Sequence, residues 1–351
     1  MTKQIVCNFC VMDKSDPDIT FNDEGVCNHC EQAQKSLREV ELEKPNLNKW
    51  IKQIKKDGQN RKYSCICGLS GGVDSSTTLH YLVKMGLKPL CFSLDNKYNE
   101  PVADENVKRM VEKLKVSHIV KTINQKKYAE LQGAFLKSGV KNVEIITDHI
   151  LMAMTYELAE KNNIKWILSG GNVATESIMP VSWGYQARDL THIKDIYKRF
   201  TGKRLAGLPM CGLLKWNYYK WWSGIKIFYL LDYLDYNRIE AEKMLIKEYG
   251  FQSTGEKHEE NIWTKWFQNY YLFKKFGIDK RKAHYSSLIN SGQMTRKEAM
   301  FALTASPVYP YLGLEERAGQ YERHSHYDYK TDEWLYNLIC KTVKLCKKLA
   351  L

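Results

Sequence analysis

The sequence predicts an α/β protein: a parallel sheet wrapped by helices, with a small module ahead of it and a helical region behind. Three observations lead there. Short apolar runs (Tyr63–Cys67, Lys88–Leu94, Ser117–Lys121 and Ile164–Leu168) alternate with helical-period stretches such as Ser75–Met85 and Val102–Leu114, the pattern of βαβ units. Two of the runs end in the same tripeptide, Ser70-Gly71-Gly72 and Ser169-Gly170-Gly171. Ahead of them all stand two CxxC pairs, Cys7/Cys10 and Cys27/Cys30.

The cysteine pairs come first in the chain. Two CxxC knuckles place four thiolates for a tetrahedral zinc ion, and a site with four protein ligands has no open position, so its role is structural. Asp16–Gly25 between them reads as the short hairpin of a zinc ribbon, with His29 a solvent-facing knuckle residue. Glu41–Asn48 reads as a linker, and Leu47–Lys56 as the helix that leads into the sheet. The chain holds ten cysteines and shows no apolar signal region at its start. The expectation is therefore a cytoplasmic protein with metal-bound or reduced thiols rather than a disulfide framework. Cys65, Cys67 and Cys91 then read as small core residues.

The first sheet strand ends at Leu69-Ser70-Gly71-Gly72-Val73-Asp74-Ser75-Ser76, which turns directly into a helix with Leu79, Leu82 and Val83 on one face. A lone Gly-Gly is a tight turn. Glycines between a buried strand and a helix also let backbone approach a phosphate, and the helix's first N–H groups supply donors and partial positive charge. Ser75 and Ser76 add hydroxyls, and Asp74 is placed to hold the Mg²⁺ that accompanies ATP. The longer glycine loop with Lys-Ser/Thr of γ-phosphoryl transfer is absent. In parallel sheets ligands bind beyond the carboxyl ends of the strands. Phe92, Ser93 and Leu94, with Gly170, Gly171 and Asn172, fall at that edge and are expected to converge with Ser70–Ser76 on one nucleotide.

At 351 residues the chain suggests residues 1–48 as ribbon and linker, 49–205 as the nucleotide domain and 206–351 as a helical domain for substrate or partner. The longest apolar stretch, Trp221–Tyr236, is broken by Lys226, Asp232 and Asp235 and reads as a buried or interface helix. No membrane insertion is expected. The net charge of +13 is dispersed, which disfavours nucleic acid against an anionic small substrate. Trp216, Tyr218, Tyr219, Trp221 and Trp222 read as core. Lys257, His258, Lys275, Arg281, Lys282, His284 and Arg296 gather closely enough to serve phosphates, although a solvated face accounts for each equally well. Thr295 with Glu298 is a capping box.

The loop Leu69–Ser76 resembles the PP-loop of the ATP pyrophosphatases, which cleave ATP to AMP and pyrophosphate. That resemblance implies a Rossmann-like parallel sheet of the PP-loop type. The CxxC pairs, Leu69–Ser76, Ser169–Asn172 with Glu176, and the segments Lys275–His284 and Ser291–Arg296 together resemble the N-acetyl sugar amidotransferases of lipopolysaccharide O-antigen and flagellin-sugar biosynthesis. The likeness runs from Cys7 to at least Glu298.

What the resemblance implies is conversion of a sugar N-acetyl group to an acetamidine. The acetamido oxygen would attack the α-phosphorus of ATP, and ammonia would then displace AMP from the O-adenylated imidate. Asp74, Lys257, His258, Lys282 and Arg296 become the catalytic candidates. ATP, Mg²⁺ and Zn²⁺ become the cofactors, with Asp148 either a second Mg²⁺ ligand or a helix N-cap. The chain starts Met-Thr, without a Cys at position 2, so ammonia would come from a separate glutaminase and cyclase-like pair resembling imidazole glycerol phosphate synthase. A homo-oligomer is compatible with all of this. Two rivals stand: a zinc-containing PP-loop tRNA thiolase, and a non-catalytic zinc-ribbon scaffold.

Overall fold

The computed structural model describes residues 6–310 and 312. Thr2, and the part of the expected C-terminal region beyond residue 312, lie outside the described residues. Helices α1 (Asn28–Glu43) and α2 (Leu47–Asp57) lead into β1 (Cys65–Gly68), α3 (Val73–Lys84), β2 (Pro89–Asp95), α4 (Pro101–Leu114) and β3 (Ser117–Thr122). Then come α5 (Gln125–Ser138), α6 (Ile145–Lys161), β4 (Trp166–Ser169) and the single turn α7 (Val173–Glu176). The chain continues through α8 (Leu190–Thr201), α9 (Leu213–Asn217), β5 (Lys226–Tyr229), α10 (Arg238–Tyr249), α11 (Ile262–Trp266), α12 (Arg281–Asn290) and α13 (Arg296–Ala302).

The five strands form one sheet in the order β3-β2-β1-β4-β5, and every pair is parallel. Side chains alternate across it as strand geometry requires. Cys65, Cys67 and Cys91 face the core shared with Ile54, Leu79 and Leu245. Ile66, Leu90 and Phe92 face the core shared with Ala153, Tyr156 and Trp216. The three cysteines are thus small core residues, as their position in the strands suggested. After β3 the chain returns to the far side of β1 to form β4. The order of strands therefore reverses between β1 and β4, which opens a crevice beyond their carboxyl ends.

Four local expectations are corrected. Trp221–Tyr236 is not one helix: Tyr218–Trp222 is a π-helical turn, β5 follows, and Leu230–Tyr233 is a 3₁₀ turn. A four-residue strand is too short for its own period to show, and pairing with β4 creates it. The sheet consequently reaches past residue 205. Glu41–Asn48 is helix rather than linker, because α1, a 3₁₀ turn at Lys44–Asn46 and α2 run on almost without a break. The expected hairpin at Asp16–Gly25 shows only isolated bridges at its borders, Val6 with Asp13 and Phe21 with Cys27. His29 does not face solvent. Its Nε2 lies 2.6 Å from the carboxylate of Asp16, which is itself 1% exposed. The capping box forms as expected, with Thr295 and Glu298 bonding each other's backbone. No helix among the described residues is long and apolar enough to cross a membrane.

Cys7, Cys10, Cys27 and Cys30 are buried with their four Sγ atoms within 4.8 Å of one another. The Cys10–Cys27 and Cys27–Cys30 separations are 3.7 Å and the Cys7–Cys30 separation is 4.0 Å. A tetrahedron of Zn–S bonds has edges of roughly 3.8 Å, so the arrangement fits zinc. Backbone N–H groups of Phe9, Cys10 and Cys27 point at the Cys7 sulfur at 3.3–3.4 Å, which suits a thiolate. The module is not a free appendage, since its cysteines belong to the same core as Trp263, Tyr271 and Ala283. One zinc per chain is expected by metal analysis. Cys27→Ser should lose it together with more than about 3 kcal/mol of stability, because loss of a metal ranks among the most damaging single changes. Full zinc retention in that variant would show the ligand set to be wrong.

Candidate active site

A cavity of about 860 Å³ opens beyond the carboxyl ends of β1, β2 and β4, where the strand order reverses. The two Ser-Gly-Gly loops meet there. Gly71 has φ +82, and a Cβ on it would lie 2.2 Å from the Ala103 carbonyl oxygen of α4. A Cβ on Gly170 would lie 3.0 Å from the Ser75 nitrogen and 3.1 Å from the Asp74 carbonyl carbon. Gly72 is the N-cap of α3 in extended conformation, and no side chain caps that helix. Its first turn is therefore presented to the cavity, with Ser70, Val73 and Ser75 on the lining. An exposed helix start fed by close-packed glycines has the donors and the backbone clearance that a phosphate requires.

Phe92 and Leu94 line the cavity, whereas Ser93 points away and donates to the Leu69 carbonyl at 2.8 Å. Ser76 is 2% exposed and packs under the loop. Asn172 caps α7 by accepting from Thr175 N at 2.9 Å and reaches Asp74 at 3.4 Å. These three position the loop rather than face a ligand.

Asp74 is the centre of an ion cluster. Its Oδ2 lies 2.6 Å from the Lys257 ammonium, and Tyr236 donates its hydroxyl proton to Oδ1. Lys257 also lies 2.9 Å from Glu176 and 2.5 Å from the Thr175 hydroxyl. Burial pushes the Asp74 carboxyl up, but the charge and hydrogen bond of Lys257 and the bond from Tyr236 outweigh it and hold the group below its usual range. For Lys257 burial disfavours the charge, and Asp74 and Glu176 more than restore it. His258 stands next along the chain with φ +67, its Nε2 3.7 Å from Glu176. Burial, then the neighbouring Lys257 charge, hold its imidazole at about 4. It is neutral at pH 7.

The other wall sets beside Asp148 two groups that sequence reasoning did not single out, Glu144 and Lys280. Glu144 is 8% exposed and accepts from the Thr264 hydroxyl at 2.9 Å. Burial and the adjacent Asp148 push its carboxyl up to about 8. Asp148 is likewise raised by burial, to about 6, with Lys280 acting against the shift. Burial lowers Lys280 to about 8. Asp148 is not a helix N-cap: it lies within the first turn of α6, whose N-cap position is Glu144, while Asn142 accepts from the amides of Glu144 and Ile145. Nor do Asp74, Asp148 and Glu176 form a ready metal site. Among the described residues the four cysteines are the only group of three or more potential ligands close enough to share an ion. Asp74 and Glu176 do converge on one cationic position, which the Lys257 ammonium fills.

The C-terminal cations divide into two sets, and α12 is the divider. Lys282, Ser286 and Asn290, spaced four apart on one face, bond Asp13, the Val11 amide and the Cys30 sulfur. Arg296 donates to the carbonyls of Cys7 and Cys10 at 3.0 Å. Lys282 and Arg296 thus brace the cysteine module and do not reach the cavity, a correction to their expected catalytic place. Arg281 pairs with Asp279 at 2.7 Å. Lys275 lies over the Tyr271 and Phe276 rings. Lys257, His258, Lys280 and Arg238 line the cavity, and His284 packs behind His258 with ring centroids 5.5 Å apart and planes inclined at 55°. Tyr236, Arg238 and Glu144 lie far from the glycine loop in sequence, and no local pattern announces them.

The Glu144 carboxyl makes a pH prediction. Its folded pKa exceeds its ordinary 4.5, so the folded state holds a proton that the unfolded state has lost. Stability should fall as pH rises from about 4.5 to about 8, then level off. Glu144→Gln removes this slope. The difference between the two proteins in urea denaturation should grow by on the order of 2–4 kcal/mol in the variant's favour across that window. A constant difference would show that Glu144 ionises normally.

Two family models match the chain. Residues 260–318 match the C-terminal domain of WbpG-like lipopolysaccharide biosynthesis proteins, and residues 45–209 match NAD synthase. An uncharacterized protein of Methanocaldococcus jannaschii is 27% identical over 166 residues, which cover 47% of this chain and 58% of that protein. The chain thus matches a little over half the length of this relative. Among solved structures, NMN synthetase from Francisella tularensis aligns with 18% identity and TM-score 0.29, over 41% of this chain and 56% of that one. The NH3-dependent NAD synthetase from Campylobacter jejuni aligns with 16% identity and TM-score 0.30, over 46% and 72%. The NAD synthase match spans the strand, glycine loop and helix at the cavity, and together with the WbpG-like match it supports a PP-loop ATP pyrophosphatase family.

Proposed function

We propose that the protein is an ATP-dependent amidotransferase that converts the N-acetyl group of a nucleotide-linked sugar to an acetamidine, with ammonia as the nitrogen source. The observation that carries this reading is the meeting of the two Ser-Gly-Gly loops at a cavity lined also by Lys257, His258 and Lys280. The WbpG-like match supports a sugar of surface-polysaccharide synthesis, and the NAD synthase match supports a ligase that forms a C–N bond with ATP.

In this reading the amides at the start of α3, with Ser70 and Ser75, hold the phosphates of ATP. The acetamido oxygen attacks the α-phosphorus and pyrophosphate leaves. Ammonia adds to the imidate carbon, the C–O bond breaks, AMP departs, and the amidinium product retains the extra proton. Charge grows first on phosphate oxygens, where preorganised donors and the Lys257 ammonium are the effective catalysts. It then grows on the amidinium, toward which Asp148 and Glu176 offer carboxylates. Once Lys257 turns to the phosphates, Asp74 and Glu176 would hold Mg²⁺, which neutralises phosphate charge when bound. A closed tetrahedral zinc would serve folding alone.

The tRNA thiolase reading needs a reactive thiol beside the nucleotide. Cys65 and Cys91 are buried and held as thiols, their pKa pushed up to about 12 by burial, and Cys211 to about 11. Burial raises Cys67 further. That weighs against sulfur transfer.

Phosphorus NMR of a turnover mixture should show AMP and pyrophosphate, and ADP with orthophosphate alone would overturn the reading. Asp74→Asn should cost about 2–4 kcal/mol in kcat/KM, the range for losing one preorganised electrostatic group. An unchanged rate would remove Asp74 from the site. Ammonium should support turnover, and glutamine should do so only when a glutaminase partner is added. Mass spectrometry should show one oxygen of the sugar replaced by NH. Sulfur transfer to tRNA with no change in any N-acetyl sugar nucleotide would decide for the thiolase.

A further inference from the structure

Away from the cavity, one surface carries apolar groups that the core does not use. At Tyr218 helix α9 passes into the π-helical turn Tyr218–Trp222. The inner side of this segment is core: Trp216 and Tyr219 are buried against Tyr156 of α6, with ring centroids 4.6 and 5.4 Å away. Its outer side carries Leu214, Tyr218 and Trp222, which are 82, 47 and 86% exposed. Leu214 and Tyr218 are one helical turn apart. The wider turn that follows is marked by the Ser223 N–H donating to the Tyr218 carbonyl at 2.9 Å, and it brings Trp222 near the same line. Three large apolar side chains therefore form a ridge rather than scattered exposures.

Lysines interleave with this ridge. Lys215 sits 5.6 Å from the Tyr219 ring and Lys220 5.2 Å from the Trp221 ring, both on exposed positions. Residues 213–224 contain no acidic side chain. The nearest acids belong to α6: Glu157, which acts on Lys215, and Glu160, which accepts from the Ser223 hydroxyl at 3.4 Å. Protein–protein contact surfaces are depleted of lysine. Exposed Trp and Tyr flanked by lysines are instead the chemistry of a bilayer interface, where rings enter the headgroup level and ammonium groups meet anionic lipid.

We propose that this ridge seats the protein peripherally on an anionic membrane surface, with Leu214, Tyr218 and Trp222 at the headgroup boundary and Lys215 and Lys220 against lipid phosphates. Such seating is shallow and reversible, since it uses a few side chains and no spanning helix. It also places the cavity near the bilayer, because α9 packs on α6, and Asp148, Leu151 and Thr155 on α6 line the cavity. The inference does not rest on the reaction proposed above.

The test is sedimentation of the full chain with phosphatidylcholine vesicles, with and without phosphatidylglycerol. Binding is expected to the anionic vesicles alone and to fall with added salt. Trp222→Ala and Leu214→Ser should abolish it with thermal midpoint and zinc content unchanged. Lys220→Gln should weaken it roughly fivefold, the loss of one lysine at an anionic surface. Absence of binding to anionic vesicles, or binding that Trp222→Ala leaves intact, overturns the proposal. So does a dimer that forms without lipid through this ridge and that Trp222→Ala dissociates.

Discussion

The close approach of two backbones at the centre of the sheet governs the rest of the molecule. The turn after β4 presses Gly170 against the Asp74–Ser75 peptide at the start of α3, and the turn after β1 presses Gly71 against Ala103. Gly71 leaves no room for a side chain and Gly170 almost none, so packing holds both loops together with the hydrogen bonds inside them, Ser70 with Ser75 and the Gly171 N–H to the Ser169 hydroxyl. Three consequences follow from that constraint. The crevice lies where the strand order reverses, the first turn of α3 faces it, and Asp74 is delivered to its edge within reach of Asn172.

Around Asp74 the energetics are those of a partly buried ion cluster. Two carboxylates and one ammonium are removed from most of their water, which costs several kcal/mol per ion unless geometry restores it. Here it does. Lys257 touches Asp74, Glu176 and Thr175 together, and Tyr236 satisfies the second Asp74 oxygen. Such a cluster is a poor source of net stability and a good source of defined geometry, since a single misplaced member leaves a buried charge unpaired. The far wall holds Glu144, Asp148 and Lys280 in the opposite condition, with burial pushing each toward its neutral form. Of these three, Glu144 at about 8 is the one neutral at pH 7, whereas Asp148 at about 6 and Lys280 at about 8 keep their charges.

Helix α12 joins the cysteine module to that cavity. One face carries Lys282, Ser286 and Asn290 to the knuckles, and His284 packs against His258 from another. Loss of the metal would thus be felt at the helix that backs the cavity. An ion held by the four cysteines, in the core of the C-terminal helices, would act on the site through packing, without coordinating anything in it.

Much was determined by the sequence alone. The alternation of apolar runs with helical stretches, the repeated Ser-Gly-Gly at two strand ends and the two CxxC pairs specified a parallel α/β sheet, glycine turns that meet at an uncapped helix start and a four-cysteine cluster, because each is written in residues adjacent or nearly so. Helix starts were legible for the same reason, as at Thr295 and Glu298. What only the tertiary structure decided is which distant residues meet. β5 exists because β4 offers it an edge. Lys257 reaches Asp74 while Lys282 and Arg296 turn to the knuckles, and Tyr236 reaches Asp74 and Glu144 lines the cavity with no local signal. Local periodicity records which face of an element is apolar. It does not record which neighbour that face will meet, and the partner of a charged group is chosen by chain topology rather than by spacing along the sequence.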